Sequence, residues 1–472
     1  MGDSGTYLYT ALTGWIPDDR SFTYGFLIRP LTVLPHTLVP LLVFQTLLGA
    51  ISAWIVGCCL LKYFRAPRWL ATICTLLCAI EPLQLFAERC VLTETVSIFL
   101  FAVVVWLSLD YLASGRLVSL AGIQIVSVVL ISIRVSYLPL VEVDSILLPL
   151  IGPAAAAVLI AVRARRNRTG DANSGILKPA LRFAANILVG ALLCQAVLYG
   201  YRNWNGALLD RPPAYNYADG IFLASFWAPV IEARDFPIPD LRGPIFDHLK
   251  YDLKNPKNRQ NHCFSVGGLC ENIRKETRAK FGDDPRTSPN KLAKKAALRA
   301  AKRNPLGLLR LFVVTAEEYF EPSYFRTMVT LEEGSIQTAG ADFDKELREN
   351  FNQPYAPLRS TLVQRWHLAA IPWYRFLLFA PLVFAILAIG SGRKNVAEKL
   401  FFAVAIFGLT LEAIALTQEP TVRYMIGEAW LVPLALGATS ALLLSDKRIA
   451  VARESRSELG GAPKLPTAEH RI

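Results

Sequence analysis

The segment TLVPLLVFQTLLGAISAWIVGCCLL (Thr37–Leu61) decides the fold class of this chain, because it contains no Asp, Glu, Lys or Arg. An apolar helix of about 20 residues crosses the roughly 30 Å hydrocarbon layer of a bilayer. Backbone N–H and C=O groups in lipid must be hydrogen-bonded within the segment, and a helix meets that need. The segment therefore predicts a helical membrane protein, consistent with 53% hydrophobic residues and a mean hydropathy of +0.35 over 472 residues.

Further apolar runs extend this to an all-α, polytopic protein with about nine transmembrane helices. The run Leu138–Val162 is interrupted by Glu142, Asp144, Pro149 and Pro153, so it resembles a broken helix. The runs after the first are Trp69–Phe86, Val91–Ala113, Leu117–Ile133, Leu138–Val162, Leu181–Tyr201, Ile371–Ile389, Leu400–Leu416 and Met425–Leu444.

Lysine and arginine concentrate in four of the segments between these runs: Lys62–Arg68, Arg163–Arg182, Gly392–Lys399 and Asp446–Arg456. All four fall on one side if the runs alternate, and cytoplasmic loops carry such an excess. The net charge of +12 is therefore assigned to these loops and not to nucleic-acid binding. We predict a multi-pass protein of the inner (plasma) membrane with a cytoplasmic C-terminus. Nine spans then place Met1 outside, so we expect a translocated N-terminus or a further helix upstream.

The predicted organisation has five parts. Residues 1–36 form an external loop, 37–201 a transmembrane core of six helices, and 202–367 a mostly helical external (periplasmic) domain. Three more spans occupy 368–446, and 447–472 form a cytoplasmic tail. Within the external domain, Ser288-Pro289 and Asn304-Pro305 each have the pattern of an N-cap followed by proline in the first helical turn.

The helix that begins at Pro289 carries basic residues at helical spacing. A solvated face is the simplest interpretation, and docking on anionic lipid headgroups is the alternative. These residues are Lys291, Lys294, Lys295, Arg299 and Lys302.

Two of the eight cysteines lie in the polar region, Cys263 and Cys270, and two glycines stand between them. An oxidising compartment favours disulfides, so this spacing predicts a local bond between them. The other six lie in or beside apolar runs and are expected to be small buried hydrophobic residues.

Charged residues cluster on the predicted external face. Because a charge near lipid is costly, each needs a partner or a function. Arginine binds phosphate oxygens and a carboxylate serves as a base, so the combination suits a phosphate site at the membrane surface. The alternative is a set of ion pairs that anchor helix ends. The residues are Asp3, Asp18, Asp19, Glu88, Glu94, Glu142, Glu419, Arg20, Arg29, Arg89, Arg134, Arg202 and Arg423.

Four stretches, in this order, resemble the GT-C superfamily of membrane glycosyltransferases. DSGTYLYTALTG, followed by DDRSFTYGFLIRPL, resembles its first external loop, with an acidic residue and a tyrosine shortly after. ERCVLTETVSIFLF resembles the loop between helices three and four, and AAKRNPLGLLRLF an Asn-Pro element of the external domain. PTVRYMIGEAWLVPL resembles the Arg-Tyr entry to a late helix in the protein-mannosyl and lipid A aminoarabinose transferases.

The resemblance implies transfer of a sugar from a polyprenyl-phosphate donor to a glycan, lipid or protein acceptor. It makes 1–36 a catalytic-type loop, with Asp3 as general base and Glu94 as a second catalytic residue, and it assigns donor-phosphate binding to Arg89, Arg423 and Tyr424. A divalent metal is the alternative to arginine for stabilising the leaving phosphate. Two features depart from the family pattern: Ser4 follows Asp3 where many members have a second acidic residue, and no helix precedes the loop.

Two other classes remain open. A transporter or flippase of lipid-linked sugars would account for Glu142 and Asp144 in a broken helix. A non-enzymatic envelope protein predicts no convergence of aspartate and arginine side chains at one interface. The position of these side chains in the fold separates the second alternative from the transferase.

Overall fold

The computed structural model describes residues 2–146, 148, 172–282, 287–321, 341–353, 362–377 and 422–459, with single residues and short runs within 323–330 and 383–418. Among these residues the regular structure is helical and no strand occurs, which confirms the all-α prediction.

Seven helices form the first part of the chain. They are α1 (Gly2–Thr13), α2 (Thr23–Thr32), α3 (Val39–Lys62), α4 (Arg68–Ala79), α5 (Pro82–Ala87), α6 (Glu94–Ser114) and α7 (Leu117–Ile133). A 3-10 turn, Val135–Tyr137, follows α7, and α8 (Ala172–Leu209) continues past the predicted end of its span at Tyr201. The last described helix, α17 (Val422–Leu459), contains the predicted span Met425–Leu444 and part of the predicted tail.

Three described helical segments are long and apolar enough to cross a membrane: α3, α6 and Arg423–Leu444 of α17. Two shorter apolar helices, α4 and α7, pack with them around one buried core. Phe101 of α6 lies in that core, and its ring contacts Tyr137, Phe407 and Trp430. These features are those of a membrane protein. Large parts of three predicted spans lie outside the described residues, so the count of nine stays a prediction: Leu138–Val162, Ile371–Ile389 and Leu400–Leu416.

The first 36 residues are not simply the loop that the sequence predicts, because α1 and α2 occupy much of this stretch. Helix α1 buries Tyr7, Leu8 and Ala11 on one face, and these side chains share a core with Tyr24 and Ile28 of α2. The rings of Tyr7 and Tyr24 meet edge to face at 5.0 Å. Glycine, serine and threonine give α1 a weak helix propensity, and packing against α2 overrides that propensity.

The predicted span Trp69–Phe86 is also corrected, because it consists of two helices, α4 and α5. Pro82 has no backbone N–H and cannot continue the hydrogen-bond ladder of α4. Glu81 stops the first helix in an extended conformation and caps the second, since its carboxylate accepts a hydrogen bond from the Gln84 N–H at 2.7 Å. The break lets the polar side chains of Gln84 and Glu88 pack on the backbone of Gly49 in α3.

The segment 202–367, which we call the helical domain, is mostly helical where it is described. Its helices are α9 (Asp219–Phe226), α10 (Arg242–Phe246), α11 (Arg259–Phe264), α12 (Leu269–Phe281), α13 (Pro289–Arg303), α14 (Pro305–Phe320), α15 (Ala341–Phe351) and the start of α16 (Leu362–Leu377). Helices α9, α10, α12, α13 and α14 share a second apolar core with a row of buried alanines from α13. The predicted N-caps are confirmed in position, and the Asn304 side chain accepts a hydrogen bond from the Gly307 N–H at 2.8 Å.

A buried arginine joins the helical domain to the membrane part. The Arg259 guanidinium donates to the Thr315 hydroxyl at 2.9 Å, forms an ion pair with Glu318, and donates to the Gln418 carbonyl at 3.2 Å. Beside it, the Trp227 indole donates to the Thr417 carbonyl at 3.2 Å. Both acceptors lie a few residues before α17, so the domain is fixed next to the start of that helix.

The two cysteines of the helical domain are neighbours but not a disulfide. Cys263 on α11 and Cys270 on α12 are both free thiols, 6% and 0% exposed. The Cys270 thiol donates to the Ile221 carbonyl at 3.3 Å. The hydrogen bond with Cys263, together with burial, raises the pKa of Cys270 well above its ordinary value. The disulfide that the spacing predicts is therefore absent from the structure.

We expect both thiols to resist alkylation in the native protein, because a buried, protonated thiol is a poor nucleophile. After denaturation without reductant, both should take up iodoacetamide, as read by peptide mass spectrometry. Cys90, which is more exposed and lies between α5 and α6, serves as an internal control. A Cys263–Cys270 cross-linked peptide under non-reducing conditions would contradict the free thiols and restore the disulfide.

Candidate functional site

Five charged side chains from separate parts of the chain meet at one end of the spanning core. Asp3 and Glu94 supply the carboxylates, and Arg20, Arg134 and Arg423 supply the guanidinium groups. We call this group the ion-pair cluster. It brings together residues that are as many as 420 positions apart in the sequence.

Helix ends position most of the cluster. Asp3 lies in the first turn of α1 and Glu94 is the first residue of α6, where the helix dipole favours negative charge. Arg134 is the C-cap of α7, where the dipole favours positive charge. Arg423 lies in the first turn of α17, so its charge is held there by its carboxylate partners and not by the dipole.

Asp3 is held on both oxygens. Its Oδ1 forms an ion pair with Arg20, and its Oδ2 accepts from Nη1 of Arg423 at 2.6 Å. The Asp3 side chain is still 31% exposed, so one side of the carboxylate faces solvent. Arg20 makes a second, two-pronged contact with its neighbour Asp19, at 2.7 and 3.2 Å.

Glu94 is enclosed. Its side chain is 1% exposed, and the same oxygen, Oε1, pairs with Arg423 and with Nη1 of Arg134 at 2.9 Å. A Glu94 carboxylate this buried has no surface left for a substrate. It fixes the two arginines side by side, and Arg134 also donates to the Arg423 carbonyl at 3.4 Å.

A small pocket that opens to solvent adjoins the cluster. Arg134 and Arg423 line it on one side, and the Arg134 guanidinium lies 5.7 Å from the centre of the Tyr424 ring. Apolar side chains line another part, so the pocket combines two cations with an aliphatic wall. The remaining lining residues are Ser136, Tyr137, Leu411 and Ile414.

The electrostatic environment keeps Asp3 ionised. Burial raises the pKa of this carboxyl, but the charges of Arg423 and Arg20 outweigh burial and hold the pKa below its ordinary value. Burial and the charges of Asp3 and Glu94 raise the pKa of Tyr7 to about 12, so its hydroxyl stays protonated. The two arginines therefore make Asp3 a weaker base than an ordinary aspartate.

Most residues that the sequence nominates lie in or beside the cluster. Asp3, Glu94, Arg423 and Tyr424 are brought together, whereas Arg89 is an exposed residue after α5 and makes none of the contacts above. In the first segment, Asp19 pairs with Arg20, whereas Asp18 forms an exposed ion pair with Arg211 at 2.8 Å.

Arg20 and Arg134 lie in the cluster, where the resemblance led us to expect Arg89. Both stand among the external arginines of the sequence, but no motif assigns them a role. The signal for Arg134 is its position directly after the apolar run Leu117–Ile133, where an arginine needs an anionic partner close to the membrane.

Among the residues that the structure describes, no group of three or more His, Cys, Asp or Glu side chains has an arrangement that could hold a metal ion.

Comparison with known proteins gives no match: no family model fits the chain, and no curated protein or solved structure is significantly similar to it.

The Glu94→Gln variant tests how the cluster is held together. We expect a loss of roughly 3–5 kcal/mol in unfolding free energy, because removing one partner of a buried ion pair leaves Arg134 and Arg423 short of anionic charge. Thermal unfolding of the purified protein in detergent gives the measurement.

The matched control is Asp18→Asn, which breaks an ion pair of the same kind between exposed side chains. It should change the free energy by no more than about 1 kcal/mol. Equal effects of the two variants would show that Glu94 is not an anchor.

Proposed function

We propose that this chain is a membrane glycosyltransferase that moves a sugar from a polyprenyl-phosphate donor to an acceptor hydroxyl. The observation that carries the proposal is the convergence of Asp3, Arg20, Arg134 and Arg423 beside a partly apolar pocket at the end of the spanning core. The order of the GT-C-like motifs in the sequence supports the same conclusion.

The pocket suits the two chemical parts of such a donor. Arg134 and Arg423 are placed to bind phosphate oxygens, since a guanidinium offers paired N–H donors that match phosphate geometry. Leu411 and Ile414 provide an aliphatic surface for the first units of the polyprenyl chain. The rest of that chain is apolar and lies in lipid, which agrees with a site at the end of membrane-spanning helices.

Donor binding activates the base in this proposal. The resting cluster, with Asp19 included, has three carboxylates and three guanidinium groups, so its charges balance. An incoming phosphate competes for Arg423 and brings negative charge, and both effects raise the pKa of Asp3. Asp3 is therefore a weak base until the donor is present and a better one afterwards.

The transfer step follows from these positions. The acceptor hydroxyl oxygen attacks the anomeric carbon and forms the new glycosidic bond, while its proton passes to Asp3. The bond between the anomeric carbon and the phosphate oxygen breaks, and polyprenyl phosphate leaves with the electron pair. Arg423 and Arg134 stabilise the charge that develops on the leaving oxygen. Glu94, which the resemblance makes catalytic, acts by positioning these arginines.

The two alternatives, a non-enzymatic envelope protein and a transporter, are not supported equally. A non-enzymatic envelope protein predicts no convergence of aspartate and arginine, and the ion-pair cluster disfavours it. A transporter is favoured by Asp144, which is 2% exposed and has one carboxylate oxygen without a hydrogen-bond partner. Asp144 makes none of the contacts of the cluster. A transport role for Asp144 therefore gives no reason for the arginine-lined pocket.

We also propose that the cluster and the helical domain face the periplasm, and that nine spans cross the inner membrane. Single-cysteine labelling in intact cells tests this. A cysteine replaces Lys257 or Arg453, and the cells are treated with a maleimide that does not cross the membrane. We expect the Lys257 position to react from outside and the Arg453 position to react only after permeabilisation. External labelling at Arg453 would reverse the proposed orientation.

The Asp3→Asn variant tests the catalytic assignment. We expect transfer of radiolabelled sugar from polyprenyl-phosphate donors in membranes to fall by about 10²–10⁴-fold, the usual contribution of a general base. Binding of polyprenyl phosphate itself, read by native mass spectrometry, should persist or strengthen because Arg423 and Arg20 lose a competing carboxylate.

Two matched variants complete this experiment. Asp18→Asn should keep transfer close to wild type, because that residue lies outside the cluster. Arg423→Lys should weaken both binding and transfer, since lysine cannot contact two phosphate oxygens as a fork. Normal transfer by Asp3→Asn, in protein that inserts normally, would remove Asp3 as the base. Unchanged lipid-phosphate binding by Arg423→Lys would remove the pocket as the donor site.

A further inference from the structure

Helix α14 of the helical domain is apolar on two opposite faces. One face is buried, and its side chains include Leu311, Thr315 and Tyr319. On the opposite side Leu306, Leu309 and Val313 follow the i, i+3, i+7 spacing and are 77%, 58% and 51% exposed. This exposed row extends for about 10 Å along the helix at 1.5 Å per residue. Apolar rows on both faces of a helix are normally covered by protein or lipid.

The helix is continuous with the membrane part of the molecule. Tyr319, near its C-terminus, belongs to the buried core that the spanning helices share, and Phe320 packs against that core. The Arg259 contacts to Thr315 and Gln418 fix the same end of α14 beside the start of α17. The exposed apolar row therefore begins within two turns of the boundary of the membrane-spanning core.

The charges around the N-terminal part of this row are mostly basic. Arg310 is exposed on α14 itself, and the one exposed carboxylate of α14, Glu317, follows Val313 by one turn towards the C-terminal end. Helix α13, joined to α14 through Asn304, has six basic residues and no acidic residue, and its exposed face carries Leu298 among them. Two of those basic residues pair within the domain, Lys294 with Asp219 and Arg303 with Glu232 and Asp235. The exposed positions Lys295, Arg299 and Lys302 lie on the same helix.

We propose that α14 lies on the surface of the bilayer that holds the spanning helices. Leu306, Leu309 and Val313 enter the boundary between headgroups and acyl chains, and the basic face of α13 contacts anionic headgroups. An apolar row beside Lys and Arg is the usual composition of an interfacial helix. This contact sets the height of the helical domain above the membrane, and it does not depend on glycosyl transfer.

Photo-crosslinking of the intact protein tests the proposal. A p-benzoylphenylalanine replaces Leu306, Leu309 or Val313 in turn, and the protein is reconstituted in nanodiscs of phosphatidylcholine and phosphatidylglycerol. We expect peptide–lipid adducts in similar yield at all three positions, read by mass spectrometry. At Leu298 we expect phosphatidylglycerol adducts in excess of its share of the lipid. A probe at Leu47, an exposed residue of α3, is the positive control, and a probe at the exposed Lys275 of α12 is the negative control.

Three results would overturn the proposal. Lipid adducts at Leu47 but not at Leu309 would place α14 in water. Yields that fall steeply from Val313 to Leu306 would show a helix that rises from the membrane. A crosslinked dimer from the Leu309 probe would assign the face to a second copy of the chain.

Discussion

The guanidinium of Arg423 is the group on which the rest of the site depends. It joins the first turn of α17 to Asp3 on α1 and to Glu94 on α6, so three elements that are distant in sequence share one contact. A charge in this position is costly unless it is paired and hydrogen-bonded. The two carboxylates meet this requirement, and through them α1 is fixed to the end of the spanning core. Arg134 completes the arrangement from the end of α7.

A balanced cluster of this kind has chemical consequences. Its arginines are positioned in advance, but their hydrogen-bonding capacity is occupied by carboxylates of the same chain. An anion that binds Arg423 must exchange with one of its two carboxylates, and of these Asp3 has the more solvent access, because Glu94 is enclosed. Under the proposed function, exchange at Asp3 links phosphate binding to the release of a base. The contacts that hold α1 in place are then also the contacts that lower the basicity of Asp3.

The helical domain is connected to this site by a second buried arginine. Arg259 binds Glu318 within the domain and the Gln418 carbonyl outside it, a few residues before α17 begins. An arginine can make both contacts because its five N–H donors point in several directions. A bilayer contact along α14 would add a further support at the opposite end of that helix. The position of the domain above the membrane would then be set at two points.

The sequence by itself determined the class of the protein and much of its helical pattern. Uncharged runs such as Thr37–Leu61 require helices in lipid, and the observed bounds of α3, α6 and α7 lie close to the predicted ones. The helix start predicted at Asn304-Pro305 is also observed, because a helix cap depends on residues that are adjacent in the sequence. Glu94 and Arg423 stand at the ends of apolar runs, where a charge needs a partner, and Asp3 was nominated by the resemblance of the first segment.

Only the tertiary structure decided which of these charges meet. The sequence does not distinguish Arg20, Arg89 and Arg134, which all lie in segments predicted to be external. In the fold Arg20 and Arg134 join the cluster, and Arg89 is exposed. Helix α1 formed against a weak propensity because α2 provides a partner for Tyr7, Leu8 and Ala11. The resemblance makes Glu94 catalytic, and only the fold shows that it is buried and pairs with two arginines. The physical reason is common to all these cases: pairing and burial depend on contacts between residues far apart in the chain, which local sequence does not encode.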